Sequence, residues 1–115
     1  MEDVGSSPWL EKLLAIVDYQ LGQQKLDNQK LAAEMGLSKR QLYRKVKNLT
    51  DTSPNLYIRK YRLDKAWQLI ESGQFQTVQQ IGIAVGYQNI HYFSKEFEKE
   101  FGEKPLQVLI RLGYR

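Results

Sequence analysis

Arg40, Arg44 and Lys47 are spaced so that one side of a helix would carry all three, and such a side could hold a polyanion. They lie in the stretch Ser38-Lys39-Arg40-Gln41-Leu42-Tyr43-Arg44-Lys45-Val46-Lys47, which has five cations and no carboxylate. An arginine fork reaches two acceptors on a guanine edge together, whereas lysine meets phosphate as a point charge. Other chemistries find little support. With no cysteine and a single histidine, His91, the chain excludes disulfides, thiolate metal sites and multi-histidine metal sites. No carboxylate cluster, glycine-rich phosphate loop or nucleophile–base pair is recognisable, so neither an enzyme such as a small nuclease nor a bound cofactor is expected.

A helix must hold those cations outward. Ser38 and Gln41 have the spacing of a capping box, so the spacing predicts a helix from Lys39 to about residue 49. Leu42, Val46 and Leu49 then form one apolar stripe, with Arg40, Arg44 and Lys47 close to the opposite side. Taken alone, a run of charge is more often the solvated face of an ordinary helix than a binding surface. The surroundings decide the matter.

At 115 residues the chain is one domain, or two small helical subdomains sharing a connector. The net charge of +4 favours an anionic partner. No apolar run reaches the roughly 18 residues of a membrane span, so membrane contact by this segment is not expected. The absence of cysteine fits a reducing, cytoplasmic location. Residues 1–7 read as a disordered linker or an expression remnant, with the natural protein extending upstream.

Ser7-Pro8 marks the first helix start, and Trp9, Leu10, Leu13, Leu14, Ile16, Val17 and Leu21 recur at helical spacing until Gly22 stops the run. Asp27 can cap a short helix, Asn28 to Met35, with Leu31, Ala32 and Met35 inward. Gly36 supplies the positive φ of a sharp exit, and the Ser38 cap follows. Helix, glycine at the turn, capped second helix is the plan of a helix-turn-helix. Ser53-Pro54 opens the longest helix, which Gly73 closes. It has two apolar stripes, Leu56, Leu63, Trp67 and Ile70 on one side and Ile58, Tyr61 and Leu69 roughly opposite.

The pattern then repeats. Thr77 and Gln80 form a second capping box, and a shift of 50 places Leu31 on Ile81, Met35 on Val85 and Gly36 on Gly86. A shift of 51 places Leu42 on Phe93, Val46 on Phe97, Asp51 on Gly102 and Pro54 on Pro105, so the second turn is one residue longer. A last short helix should run from Pro105 to Leu112. The expected fold is all-α, with about seven helices in two helix-turn-helix subdomains joined by a long connecting helix. The first subdomain is 8–53 with its exposed helix at about 39–49, the connector 54–72, and the second subdomain 73–115 with its exposed helix at about 90–101.

With Leu31-Ala32, Met35-Gly36-Leu37-Ser38, Leu42, Arg44, Ser53-Pro54, Tyr57-Ile58-Arg59 and Arg62-Leu63 in one half, and Ile81, Val85-Gly86-Tyr87, Tyr92-Phe93-Ser94-Lys95, Phe97, Phe101-Gly102 and Pro105 in the other, the chain resembles the DNA-binding domain of the AraC/XylS family of bacterial transcription regulators. The likeness covers about residues 8 to 112 and is most similar to members fused to sensor kinases or receivers. It implies sequence-specific binding of double-stranded DNA by the C-terminal output domain of a larger regulator. An upstream sensor or receiver domain and RNA polymerase would be the protein partners. Two exposed helices would enter successive major grooves, about one helical turn or 34 Å apart. Carried over by position, Arg40, Tyr43 and Arg44 of the first helix and Asn89, His91 and Lys95 of the second are offered to base edges. Ser38, Lys39, Lys47, Arg59 and Lys60 are offered to phosphate.

Three departures from the family pattern stand out. Glu98 takes the place of Lys47 in the repeat, with Glu96 and Glu100 nearby; Asp51 stands at a frequent glycine; and Gly82 stands at a frequent alanine, which should weaken its helix by up to about 1 kcal/mol. Residues 38–47 should therefore supply most of the affinity. The aromatics Tyr92, Phe93, Phe97 and Phe101 are expected in the core rather than as stacking platforms. The alternative function is a helical protein-interaction adaptor without DNA contact.

Overall fold

Asp27, Ser38, Thr77 and Asn89 each begin a helix by accepting a first-turn backbone amide on the side chain. The computed structural model describes residues 7–23 and 27–113, and among these it has seven α-helices and no strand. They are α1 (Pro8–Gln23), α2 (Asn28–Glu34), α3 (Lys39–Thr50), α4 (Pro54–Ser72), α5 (Val78–Ala84), α6 (Ile90–Phe101) and α7 (Pro105–Val108). The expected last helix is shorter than its apolar spacing suggested: α7 ends at Val108 and passes into a π-helical turn, Leu109–Gly113. The linker assigned to residues 1–7 lies, apart from Ser7, outside the described residues, as does the side chain of Leu21. Gly22 does not stop α1, which runs on to Gln23. A helical glycine costs about 1 kcal/mol in backbone entropy but blocks nothing sterically.

The chain divides into two compact units, Met1–Arg59 and Lys60–Arg115. In the first, α1 packs on α2 and α2 on α3. Leu10, Leu13 and Val17 of α1, Leu31 and Ala32 of α2, Leu42 and Val46 of α3, and Ile58 form the buried set. The amide of Asn28 donates to the side-chain oxygen of Asn55 at 2.6 Å, tying the start of α2 to the start of α4. Lys45 lays its ammonium over the Trp9 ring, 5.5 Å from the centroid.

The second unit has its own core of Leu63, Ala66, Ile70, Ile81, Val85, Tyr87, Phe93, Phe97, Val108 and Leu109. Its aromatic rings form a connected series. Tyr87 meets Phe93 at 5.1 Å, Phe93 meets Phe97 at 5.8 Å, and Phe97 meets Phe101 at 4.7 Å, with Trp67 4.9 Å from Phe101. Residues 54–59 of α4 belong to one unit and 60–72 to the other. That division corrects the two-stripe reading of α4. Leu56, which angular spacing grouped with Leu63, Trp67 and Ile70, is 50% exposed, while Ile58 is buried. A single projection over the whole helix mixes residues that serve different cores.

Two of the departures acquire physical reasons. Asp51 ends α3 in the left-handed region at φ +64°, and Gly102, its counterpart in the repeat, ends α6 at φ +79°. The same turn is thus made with and without a Cβ, and only Asp51 meets the left-handed steric penalty. Gly82, the counterpart of Ala32, is buried where α5 meets α6. A Cβ there would lie 3.1 Å from the Phe93 ring and 3.2 Å from Ile90. In the first unit the corresponding pair is Ala32 and Leu42, both buried. The second unit has lost a methyl on one helix and gained a ring on the other, so its glycine admits Phe93 as well as lowering helix propensity.

Gly82→Ala should lower stability by about 1 kcal/mol, because the overpacking cost of a ring held by Tyr87 and Phe97 exceeds the propensity gain. Combined with Phe93→Leu, the alanine should cost nothing further, as read by a double-mutant cycle in urea unfolding. Asp51→Gly should raise stability by about 1 kcal/mol in the same measurement.

Candidate nucleic-acid interface

Rotation of α3 about its own axis is set at two points. Ser38, with extended backbone, accepts the Gln41 amide on Oγ at 3.1 Å, and Gln41 Oε1 accepts the Ser38 amide at 2.9 Å. Leu42 and Val46 are buried. With those fixed, Lys39, Arg40, Tyr43, Arg44 and Lys47 are all exposed, and together with Asn48 they line one shallow concavity. Among the described residues none of its four cations is ion-paired. No carboxylate lines it. Lys45, the fifth cation of the stretch, is turned to Trp9 instead. Tyr43, at 51% exposed, stands among the guanidinium groups rather than in the core.

In the second unit, Asn89 is the cap of α6. Its Oδ1 accepts the Tyr92 amide at 2.9 Å, so the oxygen an asparagine would use beside its amide to read adenine is already engaged. Phe93 and Phe97 seat the helix. His91 and Lys95 are exposed. The concavity on this helix is lined by Tyr92, Lys95, Glu96, Glu98 and Lys99. Tyr92 corrects an expectation: it is 54% exposed, not core. It lies about 100° around the helix from the Phe93–Phe97 stripe, a signal that was available in the spacing.

The remaining phosphate candidates are differently placed. Lys60 is exposed, but its ammonium is 3.1 Å from Glu100 and 3.6 Å from Asp64. The hydrogen bond to Glu100, then the charge of Asp64, hold its pKa above the ordinary lysine value. Arg59 is half-buried and has an interaction within the chain.

Arg62, to which composition and spacing assign no task, positions the second turn. Its Nε donates to the Val85 carbonyl at 2.9 Å, and its guanidinium lies 4.0 Å over the Tyr87 ring. Burial lowers its pKa from the usual arginine value. Tyr87 in turn meets Tyr92 at 6.0 Å and Phe93 at 5.1 Å, so the arginine braces the chain entering α6. Among the described residues no group of three or more His, Asp or Glu side chains could hold a metal ion. No helix there is long and apolar enough to cross a membrane.

A family model described as a helix-turn-helix domain matches residues 31–111. Histidine kinase P4 of Formosa agariphila is 36% identical over 98 residues, covering 85% of this chain and 7% of the kinase. An AraC-type DNA-binding transcriptional regulator from Chromobacterium violaceum superposes with a TM-score of 0.79 at 28% identity, covering 95% of this chain and 96% of that one. The C-terminal domain of AraT, a response regulator from Geobacillus stearothermophilus, superposes with a TM-score of 0.80 at 27% identity, covering 95% and 89%. The chain spans 7% to 35% of the length of the first curated relatives it matches.

Removing the Arg62 brace exposes its cost. Arg62→Ala should destabilise the chain by about 2–3 kcal/mol in urea unfolding, the sum of a charged hydrogen bond and a partly buried cation–π contact. Arg62→Lys should recover part of this.

Proposed function

The chain belongs to the AraC-type helix-turn-helix family of DNA-binding transcription regulators, and from that premise we propose that it is the output domain of a larger regulator, reading double-stranded DNA through side chains of α3 and α6. Family and fold are those of DNA-binding regulators, which are not enzymes. The observation that carries the reading is the α3 face, four cations that among the described residues have no ion-pair partner and no carboxylate beside them, on a helix whose rotation is fixed from beneath.

Binding needs no covalent step. Lys39 and Lys47, with Ser38 at the helix start, hold phosphates and set the register. Arg40 and Arg44 read guanine O6 and N7 together, and Tyr43 between them contacts a thymine methyl or a phosphate. On α6, His91 and Lys95, with the exposed Tyr92 beside them, read bases in this proposal, and Asn89 is limited to what its amide can donate beyond the cap. Lys60, drawn to Glu100, and Arg59, half-buried, contribute less to phosphate binding than the α3 cations. An upstream sensor or receiver domain supplies the signal, a reading supported by the match to a histidine kinase and to a response regulator's C-terminal domain. RNA polymerase is the downstream partner, and the bacterial cytoplasm the location.

The test is binding of the chain to duplexes selected from a randomised pool, over a range of salt. Arg44→Ala should cost about 1–3 kcal/mol at the selected site and relax preference at one base pair, and more than Lys95→Ala costs. Lys47→Ala should weaken all duplexes alike and reduce the salt slope by about 1. Retention that ignores salt would defeat this reading and favour a protein-docking adaptor.

A further inference from the structure

The three carboxylates of α6 have three different settings. Glu96 is buried, at 9% exposed. Glu100 is engaged by Lys60 within the same unit. Glu98 is exposed, and among the described residues no ion pair joins it to Lys95, Lys99 or any other cation. It lines the same concavity as Tyr92, Lys95 and Lys99 and holds, in the 51-residue register, the position that Lys47 holds on α3. The α3 concavity has four cations against no carboxylate, whereas the α6 concavity has Lys95 and Lys99 against Glu96 and Glu98.

We propose that Glu98 is a specificity-determining residue that acts by repulsion: its charge holds down the sequence-independent affinity of the second unit, so that α6 engages only where Tyr92 and Lys95 meet matching base edges. This rests on the reading of α6 as a DNA-facing helix. Sequence-independent binding comes almost wholly from cations neutralising phosphate. A penalty common to all sites leaves the ratio of affinities unchanged, but it raises the dissociation constants of mismatched sites above the working protein concentration while that of the matched site stays below it, so occupancy becomes selective. A carboxylate at the phosphate-facing position supplies that penalty without disturbing the core, because the side chain is on the exposed side of a helix seated by Phe93 and Phe97.

The test uses the 115-residue chain with fluorescently labelled random-sequence duplexes at several salt concentrations, followed by selection from a randomised pool. Glu98→Gln should tighten binding to random duplexes about threefold and Glu98→Lys about tenfold, with the salt slope of the lysine variant steeper by about 1. Both should recover less sharply defined sequences when selection is run at a fixed protein concentration, chosen so that the parent fills only its matched sites. Glu71→Lys is the charge-matched control, an exposed residue of the same unit that lines neither concavity, and it should bind as the parent does. Glu98→Lys binding no tighter than the parent, or a gain by Glu71→Lys as large as that of Glu98→Lys, would overturn the proposal. So would a loss of affinity in Glu98→Gln confined to selected sequences, since Glu98 would then accept a hydrogen bond from a base. A parent chain without salt-dependent retention would remove the DNA reading itself, and this role for Glu98 with it.

Discussion

A helix can offer a fixed set of side chains to a partner only if it cannot roll about its own axis, and that constraint governs both units. On α3 the lock is Leu42 and Val46 one turn apart, both buried, with the reciprocal Ser38–Gln41 hydrogen bonds fixing the first turn. On α6 it is Phe93 and Phe97 with the Asn89 cap. Burying such side chains is worth about 1.5–3 kcal/mol each, so a roll that exposed the pair would cost far more than thermal energy. The outward residues are therefore determined by the inward ones. The cationic ridge of α3 is a consequence of where its aliphatic residues lie.

The two units solve the same packing problem with different volumes. Where one uses Ala32 and Leu42, the other uses Gly82 and Phe93, and the ring fills the space that a methyl would need. The larger ring has further consequences, because it joins Tyr87 on one side and Phe97 on the other and so becomes part of an aromatic series. Tyr87 is also the ring under Arg62. The second turn thus has a brace of its own, made of a half-buried arginine, a carbonyl and a tyrosine face, all within one unit.

Much of this is legible in the residue types and their spacing. Periodicity and caps mark all of the helices, and the displacement by 50 and then 51 residues reveals both the duplication and the longer second turn. The exposed set on α3 follows from its stripe. What escaped was whatever depends on which neighbour a residue meets. Spacing cannot tell that Lys60 is drawn to Glu100, forty residues away, or that the Arg62 guanidinium reaches a carbonyl at Val85. Leu56 was misplaced because α4 serves two cores, and Gly22 because a residue permitted to end a helix is not obliged to. Tyr92 was different: its angle from Phe93 was readable, and aromatic character alone outweighed it.

Net charge is the last place where composition and geometry part. Seventeen basic against thirteen acidic residues give +4, a modest excess that, spread evenly, would attract DNA only weakly. It is not spread evenly. Lys39, Arg40, Arg44 and Lys47 form one concavity free of carboxylates, so this single face of α3 accounts for the whole excess and the rest of the chain sums to zero. Several of the other cations serve the fold: Lys45 over Trp9, Lys60 on Glu100 and Asp64, Arg62 on Val85 and Tyr87, Arg111 on Glu103. At physiological salt exposed charges act over about 8 Å, so a phosphate at α3 meets the local four rather than a chain average. The physical case for an anionic partner therefore rests on the arrangement of four side chains, and the net charge is only its distant echo.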